Sequence, residues 1–190
     1  MPLDSYQWLN EPQLHDLARS IVISKPKTDF WQRTHYGFRR DDGHIWGRSV
    51  QGNFRVRALL QWNYRDQYDQ CGLMCRIDEN NWVKLSVEHE EEGTNKLGSV
   101  VTNYGYSDWA TQAISQKVTS LAYEIRMIDG DLFLGYQQPD QIAAEDFIPI
   151  RVAHLHADFT TAFVGVYGCS PVGNGVQFGF SHFAIQELAA

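Results

Sequence analysis

No stretch of the chain approaches the roughly 20 consecutive apolar residues that cross a bilayer. Its start, Met1-Pro2-Leu3-Asp4, has neither the basic nor the apolar region of a secretory signal. Both absences lead to the expectation of a soluble, cytoplasmic protein. Basic residues are outnumbered, with 16 Lys and Arg against 23 Asp and Glu, a net charge of −7. A phosphate backbone or an anionic membrane surface would be repelled on average, so neither nucleic acid nor membrane is expected as a partner. Cysteine is scarce, at three residues. Cys71 and Cys75 lie four apart on an extended segment, which separates their Cα atoms by about 13 Å and excludes a disulfide between them. With only Cys169 left over, the count fits buried free thiols in a reducing compartment. A Cys-x3-Cys metal pair would need a helix or loop and two further ligands.

Signatures of covalent and phosphate chemistry are also missing. There is no Gly-x-Ser-x-Gly elbow and no cysteine with an activating neighbour. The glycines Gly165, Gly168, Gly173, Gly175 and Gly179 precede no helix N-terminus that would complete an anion site. They read as turns, bulges and corners, and no cofactor is expected.

What is present is apolar alternation. The 190 residues, 43% hydrophobic and 13% aromatic, suffice for one sizeable core and one domain, 1–190. A short helix is expected near Leu14 to Arg19, and period-two alternation follows almost to the end. Phe54, Val56 and Ala58 alternate with Arg55 and Arg57; Cys71, Leu73, Cys75 and Ile77 form a second core face. Val83, Leu85 and Val87 point inward, while Trp82, Lys84, Ser86 and Glu88 point outward. Glu90 to Gly93 reads as a solvated turn. Tyr123 to Leu134 carries two apolar-rich runs joined by Asp129-Gly130, a type I′ hairpin signal. A helical turn is expected within Pro139 to Ala144, and strands over Phe159 to Tyr167 and Val176 to Ile185. Many short strands without a long helix predict an all-β antiparallel sandwich.

Four segments come in a recognisable order: Asp29-Phe30-Trp31-Gln32-Arg33-Thr34-His35-Tyr36-Gly37-Phe38, Tyr68 to Asp78, Asn81-Trp82-Val83-Lys84 with Val87-Glu88, and Tyr106-Ser107-Asp108-Trp109. They resemble the uncharacterised domain family that includes the fungal regulation-of-enolase protein, over about Trp8 to Leu188. The resemblance implies a concanavalin A-like jelly-roll β-sandwich of two antiparallel sheets with minor helices. It implies little about activity, because related sandwiches include lectins, glucanases and binding modules. Cys71 and Cys75 stand where that family pattern suggests alanine and valine, conservative changes for a core.

In such a fold the outer face of one sheet forms a concave groove, and side-chain parity says what reaches it. Arg76, Lys84 and Glu88 occupy non-core positions, with Gln70 and Trp82 near strand ends. Trp31, Arg33 and His35 share a face if Asp29 to Phe38 is extended, and Trp109 would rim the groove. Aromatic rings stack on pyranose faces while Arg, Gln, Glu and His hydrogen-bond to hydroxyls, so a carbohydrate or sugar-derived metabolite is the expected ligand. The competing reading packs the tryptophans under loops and leaves the charges as cross-strand pairs.

Two further classes remain open. A glycoside-active enzyme needs two carboxyl groups flanking the bond; Glu88 is the candidate acid or base, with Asp69 or His35 as partner, while Glu90 and Glu92 read as turn carboxylates. A protein-interaction or regulatory domain linked to sugar metabolism would instead show an apolar patch outside the groove. Exposed sheet edges would admit a protein partner or a homodimer. His154 and His156 share a face and with Asp158 would form a metal-site pattern, but paired surface or structural histidines explain them more simply. His35 and His44 show no metal spacing.

Overall fold

A computed structural model describes residues 5–189; the opening segment Met1 to Asp4 lies outside the described residues. Two seven-stranded antiparallel sheets face each other. The first runs in the order β1 (Gln7–Leu9), β6 (His44–Gln51), β15 (Thr161–Cys169), β8 (Gln70–Asp78), β9 (Asn81–Glu88), β10 (Asn95–Asn103) and β11 (Tyr106–Ile114). The second runs β14 (Ile148–His154), β13 (Asp131–Gln137), β12 (Ser120–Ile128), β7 (Phe54–Asn63), β16 (Gln177–Glu187), β3 (Ile21–Ile23) and β2 (Leu14–Asp16). A separate hairpin, β4 (Phe30–Gln32) with β5 (Arg39–Asp41), pairs with neither sheet. The only helix among the described residues is a 3-10 turn at Pro139–Gln141. This is an all-β jelly-roll sandwich of the concanavalin A-like kind.

The alternation places the core as the parity argument requires. Phe54, Val56 and Ala58 from β7 meet Cys71, Leu73 and Cys75 from β8 and Val83, Leu85 and Val87 from β9, all in one buried cluster. Removal of this apolar surface from water is the main force that closes the two sheets on one another. The β12–β13 hairpin turns at Asp129 (φ 51°) and Gly130 (φ 89°), the two positive φ angles of a type I′ turn.

Two expectations fail for local reasons. Leu14 to Asp16 is an edge strand paired with β3, not a helix, because that pairing satisfies its backbone. Gly165 and Gly168 lie inside β15 and Gly179 inside β16 rather than at corners. Gly165 is paired across the ladder with Gly47 of β6, and a Cβ on either would strike the opposing backbone. Glycine there serves close strand approach.

Candidate functional site

The decisive feature lies on the outer face of the first sheet. Along β9, Trp82, Lys84, Ser86 and Glu88 do point away from the sandwich core, as parity dictates, but the β4–β5 hairpin roofs most of that face. Phe30 is fully buried, its ring edge-on to Trp82 and to Tyr167, both at 6.2 Å between centroids. With Trp31, Ile45, Met74, Val100 and Cys169 these residues form a second apolar cluster outside the main core. Trp82, expected as a stacking surface, is thus sealed away with no exposed area.

Charged side chains pin the roof. Lys84 Nζ donates to the Phe30 carbonyl at 2.8 Å and lies 3.5 Å from Asp29 Oδ1. Arg76 grips Asp41 of β5 through two hydrogen bonds, 3.2 Å from Nε and 2.6 Å from Nη2. The Gln32 amide donates to Ser107 Oγ on β11 at 2.9 Å. Arg76 and Lys84, expected as ligand contacts, are therefore spent on holding the hairpin.

After Gln32 the chain does not stay extended. Arg33, His35 and Gly37 all adopt positive φ (56°, 64° and 76°), which breaks the shared face expected of Trp31, Arg33 and His35. Arg33 turns away to lie over the Tyr106 ring and donate to the Gly105 carbonyl. His35 is exposed and packs edge-on to Tyr36. Trp31 alone of the three faces the open part of the sheet, its indole N–H fixed by the Thr34 carbonyl at 3.0 Å.

Beyond the roof a cleft of about 360 Å³ remains, lined by Trp31, Tyr36, Phe38, Tyr68, Trp109, Pro171 and Val172 with Asp29, Arg40 and Glu88. It brings together three of the expected residues, Trp31, Glu88 and Trp109, and one more from behind. Gln70 is buried and donates to Glu88 Oε2 at 2.9 Å while accepting from the Tyr167 hydroxyl at 3.1 Å. Burial pushes the Glu88 carboxyl up to about 7, against the opposing pull of Lys84, with Asp29 and Glu90 adding to the rise. A carboxyl poised near neutrality in an aromatic cleft is able to accept or donate a proton to a bound molecule.

The other candidates are accounted for elsewhere. Asp69 is fully buried and accepts from the Arg65 and Asp66 amides, both at 3.1 Å, and from Ser170 Oγ at 2.6 Å, so it is a turn-organising carboxylate and not a second acid. His44 is held between the Lys25 amide and the Asn10 carbonyl, apart from His35. His154 and His156 are exposed, their rings 5.4 Å apart, and His154 pairs with Asp131 rather than with Asp158. Among the described residues no group of three or more such side chains is placed to hold a metal ion. The three cysteines are buried free thiols.

Asp29, Tyr36, Phe38, Arg40, Tyr68, Pro171 and Val172 were not anticipated. Asp29, Tyr36, Phe38 and Tyr68 belong to the segments that carry the family resemblance, which was the available signal. Nothing in the local pattern distinguished Pro171 and Val172, which reach the cleft from the turn after β15.

Comparison with known proteins agrees with this architecture. Regulation of enolase protein 1 of Saccharomyces cerevisiae is 31% identical over 185 residues, covering 94% of this chain and 87% of the yeast protein. A crystal structure of a functionally unknown S. cerevisiae protein superposes with a TM-score of 0.87 at 28% identity, over 100% of both chains. More distant structures share the fold. Xylan β-1,4-xylosidase of Bacillus halodurans matches with a TM-score of 0.65 and 16% identity, over 94% of this chain and 38% of the enzyme. The carbohydrate binding module CBM66 of Bacillus subtilis has a TM-score of 0.53 and 12% identity, over 88% of this chain and 96% of the module. Residues 8–188 match the family described as protein of unknown function DUF1349, and the chain belongs to that family.

Proposed function

We propose that the protein is a small-molecule binding domain whose cleft takes a sugar or sugar-derived metabolite. The observation that carries this reading is the convergence of Tyr36, Phe38, Trp109 and Val172, large apolar side chains left in contact with water, around the partly buried Glu88 carboxyl. Apolar surface kept exposed in one concave place, with few polar groups that orient a ligand, is the pattern of a binding pocket. At about 360 Å³ the cleft sits near the small end of the usual range of ligand pockets, roughly 300 to 1,000 Å³. The roof thus favours a ligand of monosaccharide size over the long oligosaccharide that an open groove would accept. The carbohydrate-binding members of the same fold support the chemical class.

A catalytic reading draws on the raised Glu88 carboxyl and on Asp29, the other carboxylate lining the cleft. It replaces Asp69 and His35, the partners the sequence suggested, neither of which lines it. Thermal-shift titration with monosaccharides, sugar alcohols and sugar phosphates tests binding, since a ligand selective for the native state raises its stability. A hit lost in Trp109→Ala supports the cleft. A hit whose turnover, but not binding, is lost in Glu88→Gln supports catalysis. Silence across the panel overturns both readings and favours a protein partner, which the yeast relative's designation as a regulator would suit.

A further inference from the structure

We propose that the cleft selects a ligand carrying an alkylammonium group on a hydroxylated body, an amine-bearing sugar or polyol, with the ammonium against Glu88 and the carbon skeleton against Trp31 and Trp109. This deepens the sugar-binding reading and rests on it.

The argument is one of a carboxyl left without an ion-pair partner beneath aromatic walls. Around Glu88, the roof brings Asp29 and Arg40, β9 brings Lys84, β8 brings Gln70, β15 brings Tyr167 and Cys169, β10 brings Lys96, and the flanking turns bring Tyr68 and Glu90. Two of the three cations are committed elsewhere, and the third makes no ion pair with Glu88 among the described residues. Lys84 is held by the Phe30 carbonyl and Asp29. Arg40 is held by Asp42 at 3.0 Å and by the Lys27 carbonyl. Lys96, opposite Glu88 on β10, borders a separate hollow with Ser86 and Trp109. Gln70, a neutral donor, is the only hydrogen-bond donor to the Glu88 carboxylate among the described residues. Burial outweighs Lys84 and Gln70 and raises the carboxyl to about 7.

A neutral ligand would leave that deficit in place. A cation would remove it, and would meet Trp31, Tyr36, Phe38, Tyr68 and Trp109, rings whose π faces attract positive charge. The aromatic walls and the underpaired carboxyl thus make the same demand on a ligand. The hydroxylated body keeps the rest of the molecule compatible with Arg40 and Asp29, which also line the cleft.

The test uses the full chain and two matched probe pairs, N-methylglucamine against sorbitol and choline against its neutral isostere dimethylbutanol, titrated calorimetrically at about pH 8, where Glu88 is ionised. The expected result is that the ammonium member binds about tenfold tighter in at least one pair. The preference should fade near pH 5.5 and vanish in Glu88→Gln, whose fold is checked by its melting temperature. Wild-type binding near neutrality should also release a proton, read from the dependence of the heat on buffer ionisation; this holds even if the variant misfolds. Equal or tighter binding of both neutral members, or an ammonium preference that survives in folded Glu88→Gln, overturns the inference. If neutral sugars bind in a Trp109-dependent way without ammonium preference, this inference fails while the sugar reading stands. If no probe and no sugar binds, both fall.

Discussion

Lys84 reaches 2.8 Å from its ammonium to the carbonyl of Phe30, a main-chain oxygen in the hairpin that covers its own strand. This bond crosses from the sandwich to its roof in a buried setting, where a lost charge partner leaves the other group uncompensated. Lys84→Met should destabilise the protein by about 3–5 kcal/mol in chemical denaturation. It should also raise the Glu88 titration further, because Lys84 is the charge that lowers it. Carboxyl chemical shifts followed against pH check the second effect; a Glu88 midpoint that stays put or falls would remove Lys84 from the account.

Glu88 makes stability depend on pH in an unusual direction. Its carboxyl rises from 4.5 to about 7 on folding, so the folded chain binds that proton more tightly than the unfolded one. The sign follows: between 4.5 and 7 the contribution of this group falls as pH rises, and above 7 the full penalty remains, on the order of 3 kcal/mol. Glu88→Gln should therefore flatten the decline in melting temperature between about pH 5 and 8 and stand above the wild type at the upper end. Parallel curves for the two proteins would show that Glu88 titrates normally.

Two tryptophans on the outer face should behave oppositely. Trp82→Ala opens a void beneath Phe30 and should cost about 3–5 kcal/mol in denaturant unfolding. Trp109→Ala, at a site 40% exposed, should change stability little and abolish ligand binding. Loss of stability in Trp109→Ala comparable to that in Trp82→Ala would contradict the assignment of Trp109 to an open cleft.

The thiols should be silent. Burial pushes Cys71 and Cys75 up to about 12 and Cys169 also well upward, so the thiolate is scarce near neutrality. A thiol reagent should modify none of them in the native protein and all three after denaturation. Rapid native labelling would place a cysteine on an accessible surface.

Much of the sandwich was legible because alternation of period two fixes which face a side chain joins. Leu85 and Lys84 were assigned to opposite faces correctly, and Asp129-Gly130 announced its turn. The same rule is silent on whether a third layer covers the outer face, so Trp82 and Trp109 looked alike in sequence although one lies under Phe30 and the other meets water. The loop after Gln32 misled for a related reason. Arg33 and His35 adopt positive φ, a conformation unusual for such residues and set by the tight turn in which the Gly37 amide meets the Arg33 carbonyl. Tyr36 and Phe38 reach the cleft only because of that turn.

The β4–β5 hairpin shares no ladder hydrogen bonds with either large sheet; side chains such as Lys84, Arg76 and Ser107 fasten it. A change in the length or composition of residues 33–38 would therefore reshape the cleft without disturbing strand register or the packing between the sheets. One wall of the cleft is thus fastened separately from the sandwich, so six residues can be exchanged there while Glu88 and Trp109 stay in place on β9 and β11.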